Sequence, residues 1–475
     1  MFVLVLVSCT DNDSFSTSTG NKFTFSTDTL RMDTVFSTVG SSTYKFWVFN
    51  NSDDGIRLSQ VRLLHGNQTG LRVNVDGAYL DNTTGSLVNN IEIRKGDSIQ
   101  VFVELTATEN EQATPQLITD DLVFQLENGT LQKVNLRGYA WDAQLIDSLI
   151  VNSNMTLNSS KPYVIRKYIR VDSGKVLSIN YPAKLYFHDK AGIDVYGTLH
   201  INADNTAPEG DVVLRGDRLD HMFDYLPYDR VSGQWKGIHL MPSSTQNVLQ
   251  CADIHSSTYG ILCDSATYNN NEYRLILNRS TIHNCKGPGI QAYCSNIYIQ
   301  NSQISNTLGD CIAMYGGRIL MNYTTVAQFY PFSADRGAAF SYSNYSGNTA
   351  YPNTHGFLIY NSIITGYNDD VVMVNQKNKN DTIPMYVNYS LLRTPKVAND
   401  TIFYHTIWET KDSVINGNKH FVNVDINNLM YDFHLVEKSP ARKAAGKELP
   451  LDIDRNGNIR KDSIDIGCYQ YIKKE

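Results

Sequence analysis

Ser280-Thr281-Ile282-His283-Asn284, Ser302-Gln303-Ile304-Ser305-Asn306 and Thr324-Thr325-Val326-Ala327 are the stretches that decide the fold. Their apolar centres, Ile282, Ile304 and Val326, stand 22 residues apart twice in succession, and Asn278, Asn301 and Asn322 precede them. Upstream, Ala252-Asp253-Ile254-His255-Ser256 repeats the pattern 28 residues before Ile282. Downstream, Asn361-Ser362-Ile363-Ile364-Thr365 and Asn388-Tyr389-Ser390-Leu391-Leu392 repeat it after longer gaps. A second ladder follows in phase: Gly260-Ile261, Gly289-Ile290 and Cys311-Ile312. Short strands on a period near 22 read as stacked coils, each coil one turn of three strands, with about 4.8 Å between coils. One coil cannot bury its apolar side, so stacking supplies the core. The sequence therefore predicts a right-handed parallel β-helix, with Ile, Val and Leu pointing inward and Asn at the corners.

Reading outward, the pattern begins near Ala143. Tyr163-Val164-Ile165, Ile169-Arg170-Val171, Val176 to Ile179, Lys184 to Phe187, Ile193 to Val195 and Thr198 to Ile201 are short strands punctuated by Gly174, Gly192 and Gly197. The β-helix is assigned to 143–475. Two stretches break the rhythm: an aromatic and charged one between Leu214 and Gly237, and a predicted insertion from Tyr330 to Thr354. Insertions in solenoids map to loops on one face and often carry function. Before Ala143, residues 22–142 alternate apolar and polar positions in seven or so short runs, including Tyr44 to Asn51, Leu71 to Gly77, Ile99 to Val103 and Val134 to Ala140. Short alternating strands with turn punctuation predict a β-sandwich, so the chain is all-β.

Composition agrees. The 475 residues carry 41 basic and 48 acidic side chains, a net charge of −7. A mildly acidic chain lacks the basic surface that phosphate backbones require, so no nucleic-acid partner is expected. Charged residues are only 19%, while Tyr numbers 29 and Phe 18. That balance suits a polar, aromatic-rich β protein rather than a disordered chain or a helical bundle. Six Cys, at 251, 263, 285, 294, 311 and 468, form no CxxC or Cys/His zinc spacing and read as small fillers of a β core.

Three segments resemble known families. Met1 to Val7 are apolar and run into Leu6-Val7-Ser8-Cys9, which resembles a bacterial lipobox. The resemblance implies lipidation at Cys9, a signal and tether over 1–21, and a lipid-anchored outer-membrane or cell-surface location. No Lys or Arg precedes the run, so the true start codon is expected slightly upstream. The order of strands and turns in 22–142 resembles Hydin-type immunoglobulin-like modules. Asp452-Ile453-Asp454-Arg455-Asn456-Gly457-Asn458-Ile459-Arg460, followed by Asp465-Ile466-Gly467-Cys468-Tyr469-Gln470, resembles the terminal coil of bacterial surface β-helix proteins. Taken together, the chain resembles surface lipoproteins of the right-handed β-helix repeat family, which share the pectate-lyase-like fold.

The candidate functional residues are dispersed. Gly309-Asp310-Cys311-Ile312-Ala313-Met314 is similar to one polygalacturonase motif, but it lacks the paired carboxylate that hydrolysis needs, so Asp310 reads as a turn residue. Asp369 and Asp370, with Asp335 and Arg336 on the insertion, are the best acidic and basic set for a lyase or hydrolase site, although solvated turn carboxylates are the favoured account of them. His255 and His283 share a repeat phase and are expected to stack outward; Ser305 and Ala327 follow, so no third metal ligand is visible at that phase. Asp452, Asp454 and Asn456 match half of a calcium loop, and Ser463 stands where the bidentate Glu belongs. Calcium is thus the one cofactor the sequence raises, with a structural turn as the competing account in which Arg460 pairs with Asp465. Arg215-Gly216-Asp217 is an isolated RGD tripeptide. Tyr228 and Trp235 offer rings for sugar stacking or for packing over the coils. With no complete catalytic set, the expected role is non-catalytic carbohydrate binding or adhesion towards a polysaccharide. A divergent polysaccharide lyase or glycoside hydrolase and a purely structural envelope component are the alternatives.

Overall fold

The computed structural model describes residues 14–473 except 67, 205–207, 268–270, 352–354, 400 and 462. The expected lipidation site, Cys9, lies outside them. The chain divides into two compact units, 1–143 and 144–475.

The first unit is a β-sandwich of two five-stranded sheets. One sheet runs in the order Thr24–Phe25, Tyr44–Phe49, Ser98–Leu105, Leu71–Val75 and Ala78–Tyr79. The other runs Thr29–Phe36, Leu131–Trp141, Gln116–Leu126, Ile56–Leu63 and Leu87–Ile93. Pairing is antiparallel except between Leu131–Trp141 and Thr29–Phe36. The alternation seen in the sequence becomes the core: Val48, Leu58, Val73, Val101, Phe124 and Leu136 are all fully buried.

The second unit is the parallel β-helix, a continuous 26-stranded parallel pairing pattern. The first ladder is realised rung by rung. Leu214 pairs with Ile254, then Ile282, Ile304, Val326, Ile364, Leu392 and Trp408 follow. The second runs from Ile193 through Ile238, Ile261, Ile290 and Ile312 to Phe340 and Val372. A third ladder, missed in the sequence, is Leu249, Leu277, Ile299, Met321, Ile359 and Val387. Nearly all of these side chains have no solvent contact. Fully buried Cys263, Cys285 and Cys311 join this core as free thiols, and burial pushes Cys285 and Cys311 up to about 12.

The corners differ from the Asn column read in the sequence. The left-handed residue of each coil lies three positions before the ladder residue: Cys251, Arg279, Asn301, Tyr323, Asn361 and Tyr389, all with φ of 46–48°. Asn278 and Asn322 sit one residue earlier. Backbone geometry, not side-chain type, sets this phase, and only two of the six corners use Asn, the residue that tolerates such a conformation best.

Two further expectations change. The insertion is interrupted, because Phe340–Ser343 is a regular rung paired with Ile312 to Ser343's partner Tyr315. The extra chain is a loop before it and the small hairpin of Tyr345–Ser346 with Thr349–Ala350 after it. The C-terminal segment is not a stacked coil either. A hairpin, Phe421–Asp425 with Met430–Leu435, lays Phe421, Phe433 and Leu435 on Ala327, Ile363 and Leu391, an apolar patch on the outside of the rungs. The remaining chain then runs back across the corners. Asn361 donates to the Glu448 carbonyl (3.3 Å), Asn322 to that of Leu449 (2.8 Å) and Asn301 to that of Ile453 (2.8 Å). Descending coil order against ascending residue number shows the antiparallel return.

Candidate functional site

Alternation along a strand builds the site. With Ile254 inward, Asp253 and His255 both point outward from the Ala252–His255 strand. On the next rung Ile282 is inward, so Thr281 and His283 share that outer face, and Gln303 and Ser305 follow one rung later. Stacking places the His255 and His283 rings 4.8 Å apart, 25° from parallel. The Asp253 carboxylate joins them: its Oδ1 lies 3.0 Å from His255 Nδ1 and 3.2 Å from His283 Nε2. From the Leu214–Gly237 stretch, the short 3-10 turn Tyr228–Arg230 brings in Asp229, whose Oδ1 is 2.8 Å from His255 Nε2. Arg215, on the preceding rung, holds the same oxygen at 2.6 Å.

The side chains line a cleft of about 380 Å³. Asp229, Asp253, His255 and His283 form one side; Asn284, Gln303, Ser305 and Asn306 continue along the rungs. Leu429, Met430 and Tyr431 of the C-terminal hairpin, with Tyr469 of the returning tail, close the other side. Tyr469 Oη donates to Gln303 Oε1 at 2.8 Å, and Arg230 donates to the Asn428 carbonyl at 2.9 Å.

Electrostatics define what this cluster can do. Burial opposes charge on Asp229, yet His255, Arg215 and His283 pull its carboxyl down to about 2. Burial likewise opposes charge on Asp253, and His255 and His283 hold it well below the usual carboxylate range. Burial lowers His255, but the two carboxylates outweigh it and raise the imidazole to about 9. At neutral pH the unit is a carboxylate, an imidazolium and a second carboxylate. Glycoside hydrolysis needs one carboxyl kept protonated as the acid, and neither of these is.

The residues singled out in the sequence are not gathered here. Asp310 accepts from Ala338 N (2.7 Å) and Ser341 Oγ, binding one coil to the next as a turn residue. Arg336 donates to the Tyr330 carbonyl (2.7 Å) and to Asn368 Oδ1 (3.2 Å); Asp335 is exposed beside it. Asp369 pairs with Arg393 at 2.9 Å, and Asp370 accepts from Thr394 Oγ1 at 2.7 Å. The Asp310, Asp369 and Asp370 carboxylates are each tied to a neighbouring group.

Trp235 is a correction. It is 1% exposed and stacks on Phe187 at 4.4 Å inside the coil, so it presents no face to a sugar. Tyr228 carries the Arg218 guanidinium 3.7 Å over its ring. The open rings of that stretch are Phe223 and Tyr225, 54% and 58% exposed and stacked at the tip of the hairpin of His221–Phe223 with Leu226–Pro227. In the Arg215-Gly216-Asp217 tripeptide, Arg215 and Gly216 belong to a coil strand, and Asp217 pairs with His188.

The calcium half-loop is satisfied internally. Asp454 is fully buried and accepts from Asn456 N, Asn458 N, Asn458 Nδ2 and Gln470 N at 2.8–3.0 Å. Arg460 donates to the carbonyls of Asp465 (3.3 Å) and Gly467 (2.9 Å), not to the Asp465 carboxylate, which instead accepts from Lys443 N and Tyr471 N. Four protein donors leave Asp454 no role as a calcium ligand.

The true cluster was partly legible. His255 and His283 are legible in the sequence as a phase pair, whereas Asp253 stands in a different phase and joins them only as the neighbour two residues away on the same face. Asp229 has no periodic signal at all.

No protein-family model matches the chain, and no curated protein does. Several solved structures match in part. A PapD-like domain of human CEP192 is 11% identical and covers 30% of this chain and 99% of its own, with a TM-score of 0.19. A protein of unknown function from Porphyromonas gingivalis W83 is 13% identical over 28% of this chain and 58% of its own, TM-score 0.19. The family 28 exopolygalacturonase of Yersinia enterocolitica is 8% identical over 78% of this chain and 84% of its own, TM-score 0.15. At such scores these likenesses carry no argument, and the all-β architecture of sandwich and parallel β-helix rests on the strand pairings themselves.

Proposed function

We propose that this protein is an exported, lipid-anchored surface protein that binds a glycan on the β-helix without cleaving it. The cleft carries the reading: its wall of Asn, Gln, Ser, His and Asp side chains offers donors and acceptors to sugar hydroxyls, and its carboxylates are already ionised. The exposed pair Phe223 and Tyr225 stands on the same insertion as Asp229 and Arg230, and aromatic faces suit the C–H faces of sugar rings. Within the cleft the charges balance, Asp229 and Asp253 against Arg215 and the His255 imidazolium, which favours neutral sugars whose hydroxyls pair with groups of both signs.

The test is retention of the full chain on immobilised neutral and acidic polysaccharides, alongside assays for new reducing ends and unsaturated uronates. The expected result is retention on a neutral glycan, no cleavage, and at least about tenfold weaker binding when Phe223 and Tyr225 are both changed to Ala, since each stacked ring is worth roughly 1 kcal/mol or more. Release of products would replace the binding reading with the lyase or hydrolase one. Absence of both retention and cleavage would leave a structural envelope component.

A further inference from the structure

We propose that Asp253, His255 and His283 form a binding site for one divalent transition-metal ion of the imidazole-preferring class, such as zinc or cobalt, at the floor of the cleft. Three observations carry this beyond the glycan reading, on which it does not depend.

The first is the donor set. Two imidazoles and one carboxylate converge, with one ligand atom from each within 4.8 Å of the others. Imidazole nitrogen suits zinc, cobalt, nickel, copper and iron, whereas calcium and magnesium take oxygen. The second is spacing. Adjacent ligands bound at about 2.1 Å to one ion stand roughly 3.0 Å apart in an octahedral shell and about 3.4 Å apart in a tetrahedral one. Asp253 Oδ1 is already 3.0 Å from His255 Nδ1 and 3.2 Å from His283 Nε2. The remaining His–His edge is within 4.8 Å and closes by rotation of the His283 ring, whose side chain is 24% exposed.

The third is the support around the set. A metal-bound His commonly donates its other ring nitrogen to a carboxylate, which holds the ring and its tautomer. Asp229 occupies that position at 2.8 Å from His255 Nε2 and is itself held by Arg215 at 2.6 Å. His255 Nδ1 is thereby directed at Asp253 and His283. The ion takes the place of the proton that His255 Nδ1 shares with Asp253, and that proton is released to solvent as the imidazole binds. Three protein ligands leave coordination positions open toward the cleft, where water or a sugar hydroxyl completes the shell.

The experiment is a titration of the full chain, stripped with chelator, with cobalt(II). It is followed by visible absorption and calorimetry, then by displacement with zinc(II). Near one equivalent of cobalt binds, with d–d bands showing nitrogen and oxygen donors, and zinc displaces it; calcium produces no heat at this site. His283→Gln, at a partly exposed position, keeps the native circular dichroism and melting temperature but loses this equivalent or weakens it by at least about a hundredfold. Asp229→Asn keeps the equivalent and weakens it about tenfold, as a positioning residue should. A wild-type chain that binds no cobalt, or a His283→Gln chain that binds as the wild type does, overturns the proposal. Glycan retention is measured separately, so loss of one result leaves the other standing.

Discussion

Trp235 and His255 show how one stretch of chain serves two ends. Trp235 lies under the outer strand with its Nε1 donating to the His255 carbonyl at 2.8 Å, so the ring that fills the coil also fixes the backbone that presents the cluster. Changing Trp235 to Ala should therefore cost about 3–5 kcal/mol of stability, as large buried rings do. Chemical denaturation checks this; a loss below about 1 kcal/mol would mean that the ring is not the packing element described. Asp229 behaves differently. It comes from a short turn between coils and reaches the cluster only because Arg215 and His255 offer two positive partners to one carboxylate. An ion pair of this kind leaves no pattern in the chain, since it depends on where an irregular loop lands. Asp253, by contrast, was recoverable from the sequence: two residues from Ile254's neighbour His255 on a strand means the same face.

At the level of the element, the last coil holds a buried charge set. Glu409 ends the Ile407–Glu409 strand at 2% exposure, accepts from Thr365 Oγ1 at 2.8 Å, pairs with Arg393 and lies 3.1 Å from His420 Nε2. Burial alone would raise its carboxyl, but His420, the Gly417 amide and Arg393 outweigh burial and hold it below the usual value. A depressed carboxylate contributes stability that is fully present above the unfolded value near 4.5 and is lost as pH falls through the folded value. Glu409→Gln, which leaves Arg393 without its buried partner, should be less stable than the wild type by about 3 kcal/mol at neutral pH. The gap should narrow as pH falls below about 4.5. Melting temperatures of both chains from pH 3 to 7 check this, and a gap constant with pH would show that the carboxylate's charge is not what stabilises the coil end. The same element explains the occupied state of Asp369: Arg393 bridges it to Glu409, so this carboxylate helps to fasten the last coils.

For the whole molecule, the two cores share no residue: one lies among the sandwich strands, and the other runs as a column inside the coils with a satellite under the C-terminal hairpin. Independent cores predict two unfolding transitions in scanning calorimetry, the larger belonging to the β-helix. A single transition matching one van't Hoff enthalpy would mean that the units unfold together. The sequence by itself determined the all-β class, the β-sandwich and the coil register at Ile254, Ile282, Ile304 and Val326. Those features rest on local periodicity, which a strand with one buried face must write into its own residues. Only the tertiary structure decided the return of the chain from Gly446 to Cys468 across the corners, the burial of Trp235 and the meeting of Asp229 with His255. Each joins segments distant in the chain through single hydrogen bonds or one packed ring, and such contacts impose no period for a sequence to display.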